Sequence, residues 1–456
     1  MDTTLQLAVA ELARRIDGPV LLPGDDEYDR ERSGFNLTVD QRPDVVVGVA
    51  SAADVSAAVR FAAERGLQVT AQATGHGAGL PLDDGVLINT RRLSAVHVDA
   101  GARLARIEAG VRWQQVIEPA AAAGLAPLNG SSPLVGAVSY MLGGGLPVLG
   151  RTFGWAADRV RRLEVVTADG DVVTVDPDRN ADLFWALRGG KGGFGIVTAV
   201  EVELVPLPQL YGGGLIFAGE QAAAVMHAWR DWTGRLPDAM NSSVALVRLP
   251  DAPGVPEPLR GRLTVHVRIA YAGDADAGET LVRPLRDVGP RLVDAVAPLP
   301  PNGIAAVYND PTEPIGYDER SLMLGSFDDT AADALVAAAG PDAPADGLIM
   351  VDVRQLGGAL ARPPEHARAL DHREAAFSLV AVGFDPAAGE AVLARLRPWS
   401  TGLRFLNFVG GPAAAALAHE SFPPETRARL AAIKRDRDPG GVFPAPHLAR
   451  ADRRQH

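Results

Sequence analysis

A histidine stands between two glycines in "TAQATGHGAGLPLDDGVLINT", residues 70–90, where neither neighbour of His76 carries a side chain that could pack on its ring. The glycines around it let the backbone approach a bound group closely with its amides turned inward. Two more stretches share this character, "NGSSPLVGAVSYMLGGG" (129–145) and "GGKGGFG" (189–195). Any one of them alone would be read as a tight corner; three together suggest a cradle for a diphosphate. Proton-handling side chains lie further along. "GRLTVHVRIAYAG" (261–273) and "LIMVDVRQLGG" (348–358) alternate so that Thr264, His266, Arg268, Asp352 and Arg354 share a polar face opposite an apolar one. Tyr140 stands ahead of the second glycine cluster, and His372 stands in "DHREAAF".

Several familiar chemistries are excluded by context. Gly190, Gly192 and Gly195 satisfy GxGxxG, but a dinucleotide fingerprint needs a strand before it and a helix after it. Here a helix precedes and a strand follows. Lys191 is followed by Gly192, so no Walker loop is present, and "GSSPLVG" lacks the spacing of a nucleophile elbow. No HExxH or similar cluster calls for a metal. The chain contains no cysteine, which removes disulfides, thiolate sites and cysteine nucleophiles together. A formal charge of −12 without a basic stripe argues against nucleic acid as a partner.

The elements that must position these residues are readable in outline. The 456 residues suggest two or three lobes. The first 18 residues form a surface helix rather than an export signal, and "GPVLLPGDDEYDRERSGFN" is expected to wrap the surface. "DVVVGVA", "SAADVSAAVRFAAERG" and "LQVTAQA" make a βαβ unit, its helix capped by Ser51, with His76 in the loop after the second strand. "RWQQVIEPAAAAG" is a helix. Residues 129–157 hold little regular structure beyond a short helix at 136–142. "RLEVVTADGDVVTVD" is a hairpin turned on Asp169 and Gly170, and "DLFWALRGGKGGFGIVTAVEVELVP" runs helix, glycine loop, long strand. From about 210 to 400 longer strands and helices suggest an antiparallel sheet with helices on one side. The class is α+β. No apolar run reaches the ~20 residues of a membrane span, so a cytoplasmic protein without membrane partners is expected.

Taken in order, "ATGHGAG", "GSSPLVGAVSYMLGGG", "RTFGWAADRV", "LEVVTADGDVV" and "DLFWALRGGKGGFGIVTAVEVEL" resemble the FAD-binding domain of the vanillyl-alcohol oxidase superfamily (PCMH-type), in its berberine-bridge-enzyme-like branch. The tail "FLNF" with "RLAAIKRDRDPGGVF" resembles that branch's C-terminal return. The resemblance is dense over 40–207 and implies a two-subdomain FAD-binding domain over 1–207, a substrate domain over 208–404 and a returning segment over 405–456. It implies FAD held by Ala73, Thr74, Gly75, His76, Gly77, Gly79, Ser131, Ser132, Val135, Gly136, Ser139, Gly143, Gly144, Gly195, Ile196, Val197 and Asn407. In the family the loop histidine is bonded to the 8α methyl of the flavin, so the resemblance implies an imidazole at His76 kept free of packing. Many members add a cysteine link at the position of Ser132; without cysteine, the resemblance implies a monocovalent cofactor. Other departures are Gln72 for an arginine, Gly193 for the asparagine of Gly-Asn-Phe-Gly, Phe405 for a tyrosine that is part of the base in some relatives, and Pro446 for an asparagine.

The implied chemistry is hydride transfer from a small organic substrate to flavin N5, aided by a base, with electrons passed to O2. Since the family's sheet roofs the flavin ring, the resemblance makes Tyr140, His266, Arg268, Asp352, Arg354 and His372 the catalytic candidates. The absent tyrosine leans toward natural-product tailoring; sugar, alcohol or amine oxidation and a catalytically silent flavin module are the alternatives. A monomer or homodimer is expected.

Overall fold

The computed structural model describes residues 3–77, 82–344, 346–412 and 416–448. A small mixed sheet comes first, from β1 (Val20–Leu21), β2 (Val45–Gly48), β3 (Val69–Gln72) and β4 (Val86–Asn89), in the order β1-β2-β4-β3. Helices α1 (Thr3–Ala13), α2 (Tyr28–Arg32) and α3 (Ala52–Ala63) belong to the same part of the chain. The βαβ unit is present as β2-α3-β3, but β4 lies between its strands and runs parallel to both. β2 and β4 read as unbroken apolar runs because they are buried on both faces. The Ser51 side chain accepts from the Asp54 amide, capping α3 as its sequence indicates.

A second, antiparallel sheet orders its strands β5-β6-β10-β8-β9. The segments here are β5 (Val96–Asp99), β6 (Leu104–Glu108), β7 (Leu125–Ala126), β8 (Val160–Val166), β9 (Val172–Val175), β10 (Ile196–Glu203) and β11 (Val205–Pro206), with β7 and β11 pairing apart from the rest. Four helices accompany them, α4 (Trp113–Ala122), α5 (Ala137–Leu142), α6 (Gly150–Phe153) and α7 (Ala181–Leu187). The glycine-dense stretch 129–157 is more ordered than its composition suggests. Beyond the expected α5 it contains α6 and a 3₁₀ turn at Ala156–Arg159, the former pinned by the buried Arg151, which donates to Met240 O at 2.9 Å.

The largest sheet is antiparallel, with eight strands: β12 (Leu210–Ala218), β13 (Met240–Arg248), β14 (Leu263–Tyr271), β15 (Val293–Asp294), β16 (Ala297–Leu299), β17 (Asp318–Leu324), β18 (Leu348–Gln355) and β19 (Phe377–Gly383). Their order is β15-β12-β14-β13-β18-β19-β17, with β16 on β12. Helices α8 (Ala222–Thr233), α9 (Ala275–Arg286), α10 (Asp329–Ala339) and α11 (Pro386–Leu396) cover one face, burying Val265, Val267, Val351 and Val353 against Trp229, Val282, Leu335 and Leu393. The period of two therefore turns Thr264, His266, Arg268, Asp352 and Arg354 away from the helices.

The tail returns. After α12 (Pro424–Arg437), whose Arg437 pairs with Asp182 of α7, Val442 O accepts from Val69 N of β3 at 2.8 Å. Among the described residues no helix is long and apolar enough to cross a membrane, and no cluster could hold a metal ion.

Candidate active site

The loop leaving β3 is not isolated. Gly75 takes φ +72°, and a Cβ there would sit 2.5 Å from Gly34 Cα, so two backbones touch where only glycine fits. Phe35 N donates to Thr74 O at 2.9 Å and Asn36 N to Gly75 O at 3.3 Å. The buried Gln72 amide donates to Arg32 O and Ser33 O at 3.1 and 3.2 Å, which gives the residue standing in the family's arginine position a role as a tie. Residues 33–36 thus line this loop instead of wrapping the surface, and they correct the expectation of an unpacked imidazole. The Phe35 ring stacks on His76 with centroids 3.8 Å apart and planes 11° from parallel. A hydrogen bond at 2.9 Å joins His76 Nδ1 and Thr74 Oγ1, and Tyr317 Oη donates to His76 O at 2.8 Å. Among the described residues, His76 Nε2 is buried without a partner. Burial first, and then the Arg112 charge, pull the imidazole down to about 4, so at neutral pH the ring is uncharged and keeps a lone pair.

Gly75→Ala is expected to cost about 1–3 kcal/mol, the scale of one strained backbone site, seen as a lower unfolding midpoint. An unchanged midpoint would mean that the two segments part freely.

The other glycine loops meet this one. A Cβ on Gly136, which begins α5, would lie 3.5 Å from Ala73 Cβ and 3.6 Å from Thr74 Oγ1. Gly189 N and Lys191 N both donate to Leu142 O, at 2.9 and 2.8 Å, joining the third loop to the second. Lys191 is left-handed at φ +62°, and its Nζ lies 3.5 Å from where a Gly77 Cβ would be. Gly193, in place of the usual asparagine, takes φ +103° with Ala445 Cβ 2.7 Å from its missing side chain, so the tail occupies the space. Ser131 is half-buried, while Ser132 is buried, its Oγ accepting from Leu134 N. Val135 O accepts from Trp113 N, and Ser139 is exposed. Gly144 (φ +99°) lies under Leu370, beside Gly143, and Asn407 Nδ2 donates to Tyr140 O at 2.9 Å. Gly195 approaches Val166 O, while the Ile196 and Val197 side chains fill two separate cores and leave only their backbone for a ligand. Gly79 lies outside the described residues.

Across from the loops stands the polar face of the large sheet. Asp352 is fully buried between two guanidiniums, Arg268 Nη1 at 2.9 Å and Arg354 Nε at 2.7 Å. Tyr308 lies beneath both cations, at 4.8 and 4.7 Å, and Phe408 lies 4.9 Å from Arg354. Burial opposes the Arg354 charge, but Tyr308 and Asp352 outweigh it and hold its pKa above the usual arginine value. Tyr140 is near enough for Arg354 and Tyr308 to act on its phenol, which burial raises well above the usual tyrosine value and whose Oη has no partner. Tyr140, Arg268, Asp352 and Arg354 therefore come together. His266 bonds Thr264 Oγ1 at 2.9 Å and is pulled down to about 3 by burial and then Arg268. His372 does not join them. It is packed between Trp155 and Phe405 with both ring nitrogens buried and unpartnered. Phe405, in the position of the family's tyrosine, is itself fully buried.

Sequence reasoning missed the group between the loops and the sheet. Tyr317 and Glu319 share one face across β17 and its approach; Glu319 is half-buried, its N donating to Gly410 O at 3.2 Å. Burial pushes the Glu319 carboxyl up to about 7, against the opposing charges of Arg354 and Lys191. Burial also pulls Lys191 down to about 8, with Glu319 opposing. The signal was the alternation Tyr317, Glu319, Ser321 and Met323 against Leu322 and Leu324, masked by Asp318 and Arg320 on the helix-covered face.

Residues 43–176 match the family described as FAD binding domain. Over 94% of its length the chain is 29% identical to (R)-6-hydroxynicotine oxidase of Paenarthrobacter nicotinovorans, covering 95% of that protein. The crystal structure of 6-hydroxy-D-nicotine oxidase from Arthrobacter nicotinovorans superposes with a TM-score of 0.82 at 26% identity, over 94% of this chain and 97% of that one. In sequence and in fold the chain is similar to FAD-linked oxidases of the vanillyl-alcohol oxidase (PCMH-type) superfamily. It is an FAD-dependent oxidoreductase, with the α+β architecture the sequence implies. The same fold is found in the BBE-like 1 protein of Physcomitrella patens (TM-score 0.81, 20% identity, all of both chains). It recurs in the glucooligosaccharide oxidase of Acremonium strictum (0.80, 21%, 96% and 98%), whose FAD is described as 6-S-cysteinyl, 8α-N1-histidyl. The residues present fit FAD. Three glycine loops converge on one another, a neutral histidine at their meeting point has a buried nitrogen without a partner, and unpartnered polar groups face them from the sheet.

Proposed function

We propose that this chain is an oxidase carrying FAD bonded to His76 alone, and that it oxidises a small organic molecule against the large sheet, with O2 as electron acceptor. The observation that carries the reading is His76 itself, neutral, held at three points and leaving one buried nitrogen unused where the three loops meet. With Ser132 at the alternative linkage position and no cysteine in the chain, a second bond has no donor. The first two sheets with the tail would hold the cofactor, and residues 208–404 would receive substrate.

Bound flavin would supply the acceptor for the substrate's hydride. Glu319 is the group placed to take the accompanying O–H or N–H proton, since its ionisation falls near neutrality, where a general base works best. Arg354 and Lys191 favour its ionised form. Arg354, Tyr308 and Tyr140 offer polar atoms to orient the substrate. Phe405 places no hydroxyl beside this group, which favours tailoring of a natural product in which Glu319 works without a tyrosine partner. Likeness to nicotine oxidase over most of the chain supports amine oxidation as the second reading. Peroxide release across a panel of phenols, amines, alcohols and sugars separates these, and a silent module would release none.

Acid precipitation tests the linkage. Flavin absorbance is expected to remain with the wild-type polypeptide and to leave His76→Ala completely. Release of all flavin from the wild type would refute the attachment.

A further inference from the structure

We infer that Phe35 is a positioning residue for flavin attachment: its ring is the platform that sets the plane of the His76 imidazole for bond formation. The inference rests on the proposed linkage at His76. Among the described residues of its own loop, Gly75 and Gly77 leave the imidazole only the Thr74 hydroxyl to lean on. That single contact fixes one ring atom and still permits tilting about it. The Phe35 stack, 3.8 Å between centroids and 11° between planes, removes that freedom by covering one whole face.

The platform is itself fixed from several sides. Phe35 N donates to Thr74 O, and Asn36 Nδ2 donates to Tyr317 O at 2.9 Å, the residue whose hydroxyl holds His76 O. Gln72 and Arg91 both donate to Ser33 O. The stretch 33–36 is thereby locked to the strand before His76 and to the approach to β17.

Attachment exchanges one C–H of the flavin 8α methyl for a C–N bond. The imidazole N–H and the methyl C–H are lost as two protons, the electron pair stays on the ring system, and O2 accepts it to give hydrogen peroxide. A nitrogen lone pair lies in the plane of its ring, so a tilted imidazole directs it away from the methyl carbon. Orientation of this kind governs rates between held groups.

The test uses Phe35→Ala, Phe35→Leu and Phe35→Tyr in the full chain. Each is produced under flavin limitation, supplied with FAD, and sampled over time for flavin retained after acid precipitation beside total flavin bound before acid. Phe35→Tyr is expected to attach flavin at the wild-type rate. Phe35→Leu, which fills much of the volume without a flat face, is expected to attach roughly 10-fold more slowly or worse while binding the same total flavin. Phe35→Ala should match or exceed that loss, and Leu serves as the reporter if Ala does not fold. Wild-type attachment rates in Phe35→Leu would overturn the platform and leave the linkage at His76 standing. Complete flavin loss from the wild type in acid would overturn both.

Discussion

Replacing Glu319 by glutamine is expected to lower kcat/KM by about 10²–10⁴, the span attributed to a positioned general base, while flavin loading and the unfolding midpoint stay near wild type. Glutamine keeps the size and the hydrogen-bonding reach of the side chain and removes only its ability to take a proton. The pH profile carries the sharper signature. A base must be unprotonated to work, and burial places this carboxyl at about 7. Wild-type kcat/KM should therefore climb with pH through a limb near 7, and the residual activity of Glu319→Gln should lack it. Lys191 supplies a second arm with a fixed sign. Its charge lowers the Glu319 pKa, so Lys191→Met should move the limb to higher pH without abolishing turnover. A Glu319→Gln enzyme with full kcat/KM would remove Glu319 from the chemistry, and an unmoved limb in Lys191→Met would show the two groups to be uncoupled.

That residue illustrates which parts of the site are legible in the sequence. The loops are readable because glycine at close spacing around one histidine has few structural explanations, and their order along the chain is specific. The polar faces of β14 and β18 are readable because Val265, Val267, Val351 and Val353 keep strict alternation against the helices. β17 hides its face because its helix-covered side also carries charge: Asp318 pairs with Arg320, which reaches Glu390 of α11 at 3.5 Å. Phe35 was hidden for another reason. Its partner is 41 positions away, and the turn-rich stretch containing it reads as surface until Gln72 and Arg91 are seen bonded to its backbone. His372 erred in the opposite sense, since a histidine in a polar stretch gives no sign that Trp155 and Phe405 will enclose it. Periodicity reports which side of an element is buried, but long-range backbone contacts decide which irregular segments meet.

The largest expected effect on stability belongs to Asp352. Its carboxylate is the single anion between the Arg268 and Arg354 guanidiniums, and all three side chains are at most about a tenth exposed. The group carries one net positive charge, spread over Tyr308 and Phe408. Asp352→Ala leaves two buried cations, on the two strands that flank β13, with no counter-charge, a change worth about 3–5 kcal/mol when one partner of a buried ion pair is removed. The asymmetry between breaking and replacing such a group makes the prediction specific. Arg268→Met leaves Asp352 paired with Arg354 and brings the group to neutrality, so it should cost less than Asp352→Ala although it deletes a larger side chain. Denaturant unfolding of the two variants with an unchanged slope would measure the difference. Equal losses would mean that packing volume, rather than charge compensation, sets the stability of this face. A loss below about 1 kcal/mol for Asp352→Ala, the range of exposed pairs, would mean that solvent already compensates the guanidiniums through the cleft.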